Sequence, residues 1–245
     1  MSTAGSAGLE IEGLRQSATA GHALIAGLGP DAPVRDQARL ALEWAQAEFD
    51  ARFVVASSMG DEVLVHLAAQ HAPGVDVAFL DTGYHFAETL GLRDAIASTY
   101  DVSVRSVEPL LTVTEQDSRY GPNLHDRDPD RCCALRKVEP LERTLREYDA
   151  WATGMRRVDA PTRKDIEVIG WDAKRDLVKL NPLASWTDDD IDDYATEHSI
   201  LLNPLRQLGY ASIGCLPCTR AVSAGEEARA GRWSGTAKTE CGLHT

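Results

Sequence analysis

The five cysteines of this chain fall into three sets, each suited to a different chemistry. Cys132 and Cys133 are adjacent, and Cys215 and Cys218 form a C-x-x-C pair far downstream. Two close pairs distant in sequence have the makings of four thiolate ligands for one centre, zinc or an iron–sulfur cluster. Zinc pairs are usually spaced C-x-x-C on both sides, so the adjacent pair fits zinc poorly. Neighbouring residues on a helix project about 100° apart, which suits two corners of a larger cubane. Cys241 stands alone in Glu240-Cys241-Gly242-Leu243-His244. A thiol attacks only as thiolate, and Lys238, His244 or an arginine cluster could lower its pKa from about 8.5. Gly242 and nearby Gly235 would let such a segment swing, as a nucleophile that visits a site and leaves it must.

Anion-binding groups accompany the thiols. Gly154-Met155-Arg156-Arg157 with Arg163 and Lys164 is the densest positive segment, opposed only by Asp159. Arginine forks suit phosphate or sulfate oxygens. Arg229 and Arg232 precede the lone cysteine. Lys137 follows Cys133 by four residues, on the same helical face. There it could offset the negative charge of a thiolate-bound centre and point toward an anionic substrate. The run Val54-Val-Ala-Ser57-Ser58-Met-Gly60-Asp-Glu-Val63 is a small-residue turn that could cradle phosphate at a helix N-terminus. It is not a Walker loop, since it lacks G-x-x-x-x-G-K-[ST]. Leu80-Asp81-Thr82-Gly83 ends a strand-like run. Ligands of open α/β sheets bind at strand C-termini, which makes Asp81 and Thr82 candidates for adenine or ribose contacts, with Gly83 serving the turn. The acidic run Asp188-Asp-Asp190 with Asp192-Asp193 reads as a helix start favourable to the macrodipole and not as a metal site.

Alternating elements must position these groups. Helical periodicity covers residues 9–28 and 32–49. Residues 52–56 read as a strand, followed by the small-residue turn and a helix over 61–71. Residues 75–80 form a second strand, a helix runs to about 100, and 102–107 form a third strand. This β-loop-α alternation predicts a parallel sheet with covering helices. Residues 131–148 read as one helix carrying the cysteine pair near its start, despite Pro140. Residues 150–155, 166–170 and 177–180 are further strand candidates, and Thr187 caps a helix reaching 198. The expected organisation is N-terminal helices over 1–49, a nucleotide-binding core over 50–205 and a glycine-punctuated arm over 206–245, all in one domain.

Composition bounds the partners. A net charge of −13 argues against nucleic acid, whose phosphates demand clustered positive charge. A hydrophobic fraction of 43% marks a soluble globular chain. No apolar run approaches membrane-spanning length, and the small polar leader is unlike a secretory signal, so the expected location is cytoplasmic. In that reducing compartment cysteine pairs bind metal or do redox work more often than they form disulfides.

Taken in order, these residues resemble one family, the assimilatory adenylyl-sulfate reductases of the bacterial iron–sulfur type. The resemblance rests on Ser57-Ser58, Leu80-Asp-Thr-Gly83, Cys132-Cys133 with Lys137, and Gly154-Met-Arg-Arg157 followed by Arg163. Downstream it includes Asn181-Pro-Leu183 with Trp186-Thr187, Cys215-Leu-Pro-Cys218 and Glu240-Cys-Gly-Leu-His244. It spans about residues 50–245 and implies an adenine-nucleotide α-hydrolase-like (PP-loop) sheet with a flexible C-terminal arm. It further implies that Cys241 attacks the sulfur of adenosine 5′-phosphosulfate, leaving AMP and an S-sulfocysteine that thioredoxin, supplied in trans, resolves to sulfite. By the same resemblance Cys132, Cys133, Cys215 and Cys218 hold a 4Fe–4S cluster and Lys137 connects it to the substrate. Arg156, Arg157, Arg163, Arg229 and Arg232 become phosphosulfate or tail-closure candidates. A homo-oligomer is left open. The alternatives are reduction of the 3′-phosphorylated substrate, whose enzymes lack the four cluster cysteines, an ATP-pyrophosphatase-type ligase or sulfurtransferase, and a zinc-stabilised nucleotide sensor.

Overall fold

In the computed structural model the described residues are 10–234, 238 and 242–243. Helices α1 (Ile11–Ala26) and α2 (Val34–Phe49) lead into β1 (Phe53–Ser57), α3 (Glu62–His71), β2 (Asp76–Leu80), α4 (Ala87–Thr99) and β3 (Ser103–Val107). Three short helices follow, α5 (Val113–Tyr120), α6 (Leu124–Arg127) and α7 (Pro129–Cys133), and then α8 (Glu139–Leu145). The chain returns to the sheet with β4 (Ala150–Ala152), β5 (Ile169–Asp172) and β6 (Leu177–Leu180), before α9 (Asp188–Glu197). The strands form one sheet in the order β3-β2-β1-β4-β6-β5. The expected parallel sheet is present, with one exception at its edge: β5 runs antiparallel to β6, because a short turn joins them where a crossover helix would be needed for parallel pairing.

Alternation along the strands divides the core into two layers. Phe53 and Val55 of β1, Val77 and Phe79 of β2, and Val178 and Leu180 of β6 face a large layer shared with α1, α2, α3, α4 and α9. Val54, Ala78, Leu80, Trp151 and Leu177 face a smaller layer with Leu141 and Leu145 of α8. Every residue of α3 from Glu62 to Ala69 is buried, so this helix packs on all sides and the turn that precedes it is held at both ends. Each large apolar side chain in these layers contributes about 1.5–3 kcal/mol.

The helix expected over 131–148 runs from Pro129 to Leu145 but does not keep one regular period. Between α7 and α8 the backbone widens into a π-helical turn at Ala134–Val138. Pro140 lacks the N–H that a regular helix would aim at the carbonyl four residues back, and its ring would crowd that carbonyl. The cysteine pair therefore ends a five-residue helix of its own. The Thr187 cap is as expected, with Asp190 closing a capping box. The same motif at Thr112 and Glu115 starts α5, a helix that hydrophobic periodicity does not announce.

One polar tie fastens the 203–206 segment to the β1–α3 turn. The Glu62 side chain is 1% exposed and accepts from Arg206 Nη2 at 2.7 Å and Nε at 3.1 Å. It also accepts from the Asn203 N–H at 3.0 Å, while Arg206 donates to the Gly60 carbonyl at 3.1 Å. Glu62→Gln weakens two charged hydrogen bonds in a buried site. We expect a loss of about 2–3 kcal/mol in denaturant unfolding, less than for a fully buried pair because Arg206 keeps some water. A change within experimental error would show that the tie carries no stability.

Candidate functional site

The four paired cysteines converge. Cys132, Cys133, Cys215 and Cys218 line one enclosed gap together with Tyr84, His125, Arg136 and Lys137. Burial, reinforced by the neighbouring thiols, pushes Cys132 up to about 12 and Cys218 up to about 11. Such a group stays protonated unless a strong positive centre takes the sulfurs as thiolates. Four thiols are the donor set of an iron–sulfur cluster or of a four-cysteine zinc site. Among the described residues no group of three or more His, Cys, Asp or Glu is arranged to hold a single metal ion.

Polar and cationic groups surround this gap. Thr82 Oγ1 lies 3.3 Å from Cys215 Sγ. Arg136 is buried, donates to the Thr82 carbonyl and reaches the Leu111 carbonyl at 3.2 Å and Gln116 Oε1 at 3.1 Å. Its guanidinium lies 5.2 Å from the Tyr84 ring centroid. Gly83 has φ +70°, and a Cβ there would lie 2.9 Å from Arg136 Nη2, so both backbone and space ask for glycine. The Trp233 N–H donates to the Cys218 carbonyl at 3.0 Å, and Lys238 pairs with Asp130 on the helix that bears Cys132.

Beside the thiols, at the C-terminal ends of β1 and β4, opens a cleft of about 720 Å³. This is the usual size for a small-molecule site and the usual place in an open α/β sheet. Ser57 and Ser58 line its floor and Arg156, Arg163, Arg229 and Arg232 its walls. Ser57 Oγ accepts from the Met59 N–H at 3.0 Å and donates to Asp61 Oδ1 at 2.5 Å. Met59 sits at φ +55°, an angle that normally calls for glycine. Its side chain is wholly buried, and that burial, worth about 2 kcal/mol, offsets the about 1–2 kcal/mol of a left-handed residue. Gly154 abuts the loop so closely that a Cβ would lie 2.6 Å from Asp61 Cβ.

The arginines are braced by carboxylates that line the cleft with them. Asp159 accepts from Arg156 Nη2 at 2.8 Å and from Arg163 Nη1 at 3.2 Å, and Asp188 also pairs with Arg156 at 2.8 Å. Arg156 Nη1 is buried and has no hydrogen-bond partner among the described residues. A buried donor left open on a cleft wall is suited to an anionic oxygen. Arg232 donates to Ser212 Oγ and to the Ile213 carbonyl, both at 3.3 Å, and lines the cleft as well.

The expected residues therefore separate into groups. Ser57, Ser58, Arg156, Arg163, Arg229 and Arg232 share the cleft, and Lys137 lies with the thiols. Asp81, Thr82 and Gly83 do not line the cleft; Asp81 accepts from the Gly83 N–H at 3.0 Å and pairs with Arg93, and Thr82 serves the thiols. Arg157 instead straps the following loop, donating to the Ile166 carbonyl at 2.8 Å and to Ser185 Oγ at 2.8 Å. Cys241 lies outside the described residues. Asp61, Asp159, Arg136 and Arg206 were not singled out from sequence. The first two stand within motifs already read, the small-residue turn and the basic segment, and the other two carry no local signal.

Burial, opposed by the Ser57 hydroxyl, pushes the Asp61 carboxyl up to about 6. An acid whose pKa is higher folded than unfolded stabilises the fold while protonated. That contribution is full below about 3.8 and is lost as pH rises through about 6. Relative to Asp61→Asn, the wild-type protein should lose about 1 kcal/mol between about pH 5 and about pH 7. A stability gap that stays constant over this range in paired denaturant titrations would show Asp61 to be ionised throughout.

Three comparisons place this geometry among known proteins. Residues 52–221 match the phosphoadenosine phosphosulfate reductase domain. The adenosine 5′-phosphosulfate reductase of Streptomyces coelicolor is 60% identical, over 83% of this chain and 86% of that protein. The reductase of the same name from Rhodococcus opacus is 51% identical, over 94% of each chain. The crystal structure of phosphoadenylyl-sulfate reductase from Candida auris, a phosphate complex, superimposes with a TM-score of 0.64 at 26% identity, covering 87% of this chain and 98% of that one.

Proposed function

Since the chain belongs to the phosphoadenosine phosphosulfate reductase domain family, among its adenosine 5′-phosphosulfate reductases, we propose that it reduces adenosine 5′-phosphosulfate to sulfite and AMP for sulfate assimilation, with Cys241 as nucleophile. The observation that carries this reading is the convergence of four thiols beside an arginine-walled cleft at the sheet's C-terminal edge.

The nucleotide occupies the cleft over the Ser57–Ser58 turn, with Leu80 at the β2 end. The Cys241 thiolate attacks the sulfur of the phosphosulfate. An S–S bond forms, the S–O bond to the phosphate breaks, and its electron pair leaves on the AMP phosphate. Arg156, Arg163, Arg229 and Arg232 neutralise that developing charge, and Arg156 Nη1 is the donor with a position to fill. A thiolate of a dithiol reductant, thioredoxin, then attacks the Cys241 sulfur and displaces sulfite. The reductant's second thiol releases Cys241 and leaves the reductant as a disulfide, so two electrons have passed to sulfur. In-line placement and charge neutralisation are the expected sources of rate.

Cys132, Cys133, Cys215 and Cys218 would hold a 4Fe–4S cluster, a group that their all-thiol donor set and shared gap fit. When bound, the cluster supplies order and negative charge and passes no electrons. Lys137 beside Cys218 balances that charge toward the substrate side. Among the described residues no helix is long and apolar enough to cross a membrane.

The decisive test is mass spectrometry of anaerobically purified protein incubated with adenosine 5′-phosphosulfate and no reductant. We expect an SO₃ adduct on Cys241, released by thioredoxin, and no sulfite from Cys241→Ser although the nucleotide still binds. Turnover retained in Cys241→Ser would remove the nucleophile, and an adduct formed only with the 3′-phosphorylated substrate would reassign the activity. Iron and acid-labile sulfide analysis tests the cluster: Cys133→Ala should lose both together with the visible absorbance. Zinc in colourless wild-type protein would overturn the assignment.

A further inference from the structure

The smaller core layer is not closed by helices alone. Helix α8 packs on β2 and β3. Farther along the same face stand Trp151 of β4 and Leu177 of β6, and Lys179 shares their parity on β6. The side chain that packs onto this layer beside them is Leu243, from the far C-terminal segment, and it also lines the cleft.

An arginine holds the backbone at that point. Arg175 lies in the turn between β5 and β6, where Asp172 accepts from the N–H groups of Lys174 and Arg175, both at 3.2 Å. The Arg175 side chain is only 7% exposed and that of Asp172 8%, with Nη1 donating to Asp172 Oδ2 at 2.9 Å. The guanidinium carbon lies 5.2 Å from the ring centroid of Trp151. The other arm, Nη2, donates to the Leu243 carbonyl at 2.9 Å. Arg175 does not line the cleft, so its charge is directed at the chain and not at an anionic ligand. Two arms of this buried guanidinium are occupied while its Nε has no hydrogen-bond partner among the described residues, and burial raises the cost of losing either occupied contact. Asp172, on the same turn, fixes one arm, whereas the carbonyl that occupies the other belongs to the C-terminal segment, which Lys238 also ties to Asp130. When that segment leaves, Nη2 regains water, which makes the contact reversible.

We propose that Arg175, oriented by Asp172 and Trp151, is a positioning residue that seats the C-terminal segment at the cleft by holding the Leu243 carbonyl while the Leu243 side chain completes the smaller core layer. The consequence for chemistry rests on the reading of Cys241, two residues before Leu243, as nucleophile. Arg175 touches neither substrate nor sulfur; it sets how often the thiol is presented. Because it reads a main-chain oxygen, it places no demand on the side chain of residue 243. That demand comes from the apolar layer, so the two halves of the seat can be removed separately.

The test uses the full-length, metal-loaded protein as wild type, Arg175→Ala, Arg175→Lys and Leu243→Ala. Three quantities are read: hydrogen exchange of the C-terminal peptide, AMP affinity, and the single-turnover rate of Cys241 sulfonation. Arg175→Ala and Leu243→Ala should speed exchange of that peptide and slow sulfonation about tenfold or more, and Arg175→Ala, which lies outside the cleft, should change AMP affinity by less than about twofold. Arg175→Lys, which keeps the charge without the fork, should fall between. Loss of general packing would shift AMP affinity as well, and so is distinguishable. If Arg175→Ala does not fold because Asp172 is stranded, Leu243→Ala decides, since it leaves the ion pair whole. Wild-type exchange in the substituted proteins overturns the seat, and faster exchange with an unaltered sulfonation rate overturns its positioning role. Absence of any adduct on wild-type protein would refute the nucleophile alone, and the exchange measurement would still judge the seat.

Discussion

Four cysteine sulfurs that share one buried gap cannot ionise together without a positive centre among them, and much of the structure is organised around that constraint. Burial and the neighbouring thiols keep Cys132 and Cys218 protonated until such a centre arrives. Each of the segments that deliver them is fastened independently. Cys132 and Cys133 end α7, which Asp128 caps. Cys215 is fixed by Thr82 at the end of β2, and the Cys218 carbonyl by Trp233. Arg136 holds the Thr82 carbonyl and lies against Tyr84, so the strand end, the cysteine helix and the C-x-x-C turn form one polar assembly. The cleft with its arginines adjoins this assembly, and Arg232 extends from the cleft wall toward Cys218.

The negative chain as a whole and the arginines of the cleft are compatible because the acidic groups, several of them in the cleft lining itself, do different work from place to place. Asp159 lines the cleft beside Arg156 and Arg163 and fixes their orientation without covering Arg156 Nη1. Glu62 is consumed by Arg206 and by a backbone N–H, so its charge fastens a segment and does not repel an anion. The run 188–190 lies at a helix start, where a carboxylate favours the dipole, and Asp188 is drawn to Arg156. Net charge thus describes the surface, and the cleft is set by local pairing.

Most of the framework was legible from sequence where a single period or cap decides the outcome. The strands of the parallel core fall within a residue or two of the runs at 52–56, 75–80 and 102–107, because the buried β1 and β2 cannot hide their composition and the largely exposed edge strand β3 keeps its valines. The cysteine pairing was legible because two close thiol pairs have few uses. What sequence did not show depended on three-dimensional competition. The helix through 131–148 is formed as far as Leu145 but widens into a π-helical turn ahead of Pro140, where a local rule modified the period. Thr82 sits at a strand end, where ligands bind, yet a sulfur from residue 215 claims its hydroxyl. Arg157 and Arg156 are neighbours in one basic run, but opposite backbone directions send one to a loop carbonyl and the other to the cleft. The edge strand β5 is reversed, which nothing in its residues announces.

Met59 carries a consequence of its own. Related phosphate loops obtain their shape from glycines, whose freedom leaves the loop independent of what lies beneath it. Here the left-handed residue is also a core residue, with its thioether side chain sealed in the large layer. Two demands meet at one position: a backbone angle that favours glycine and a volume that only a long, unbranched side chain fills. A glycine would satisfy the first and leave a void, and a β-branched residue would resist the angle outright. The shape of the anion cradle is in this way written into the hydrophobic interior, so drift in core packing far from any ligand is transmitted to the floor of the site.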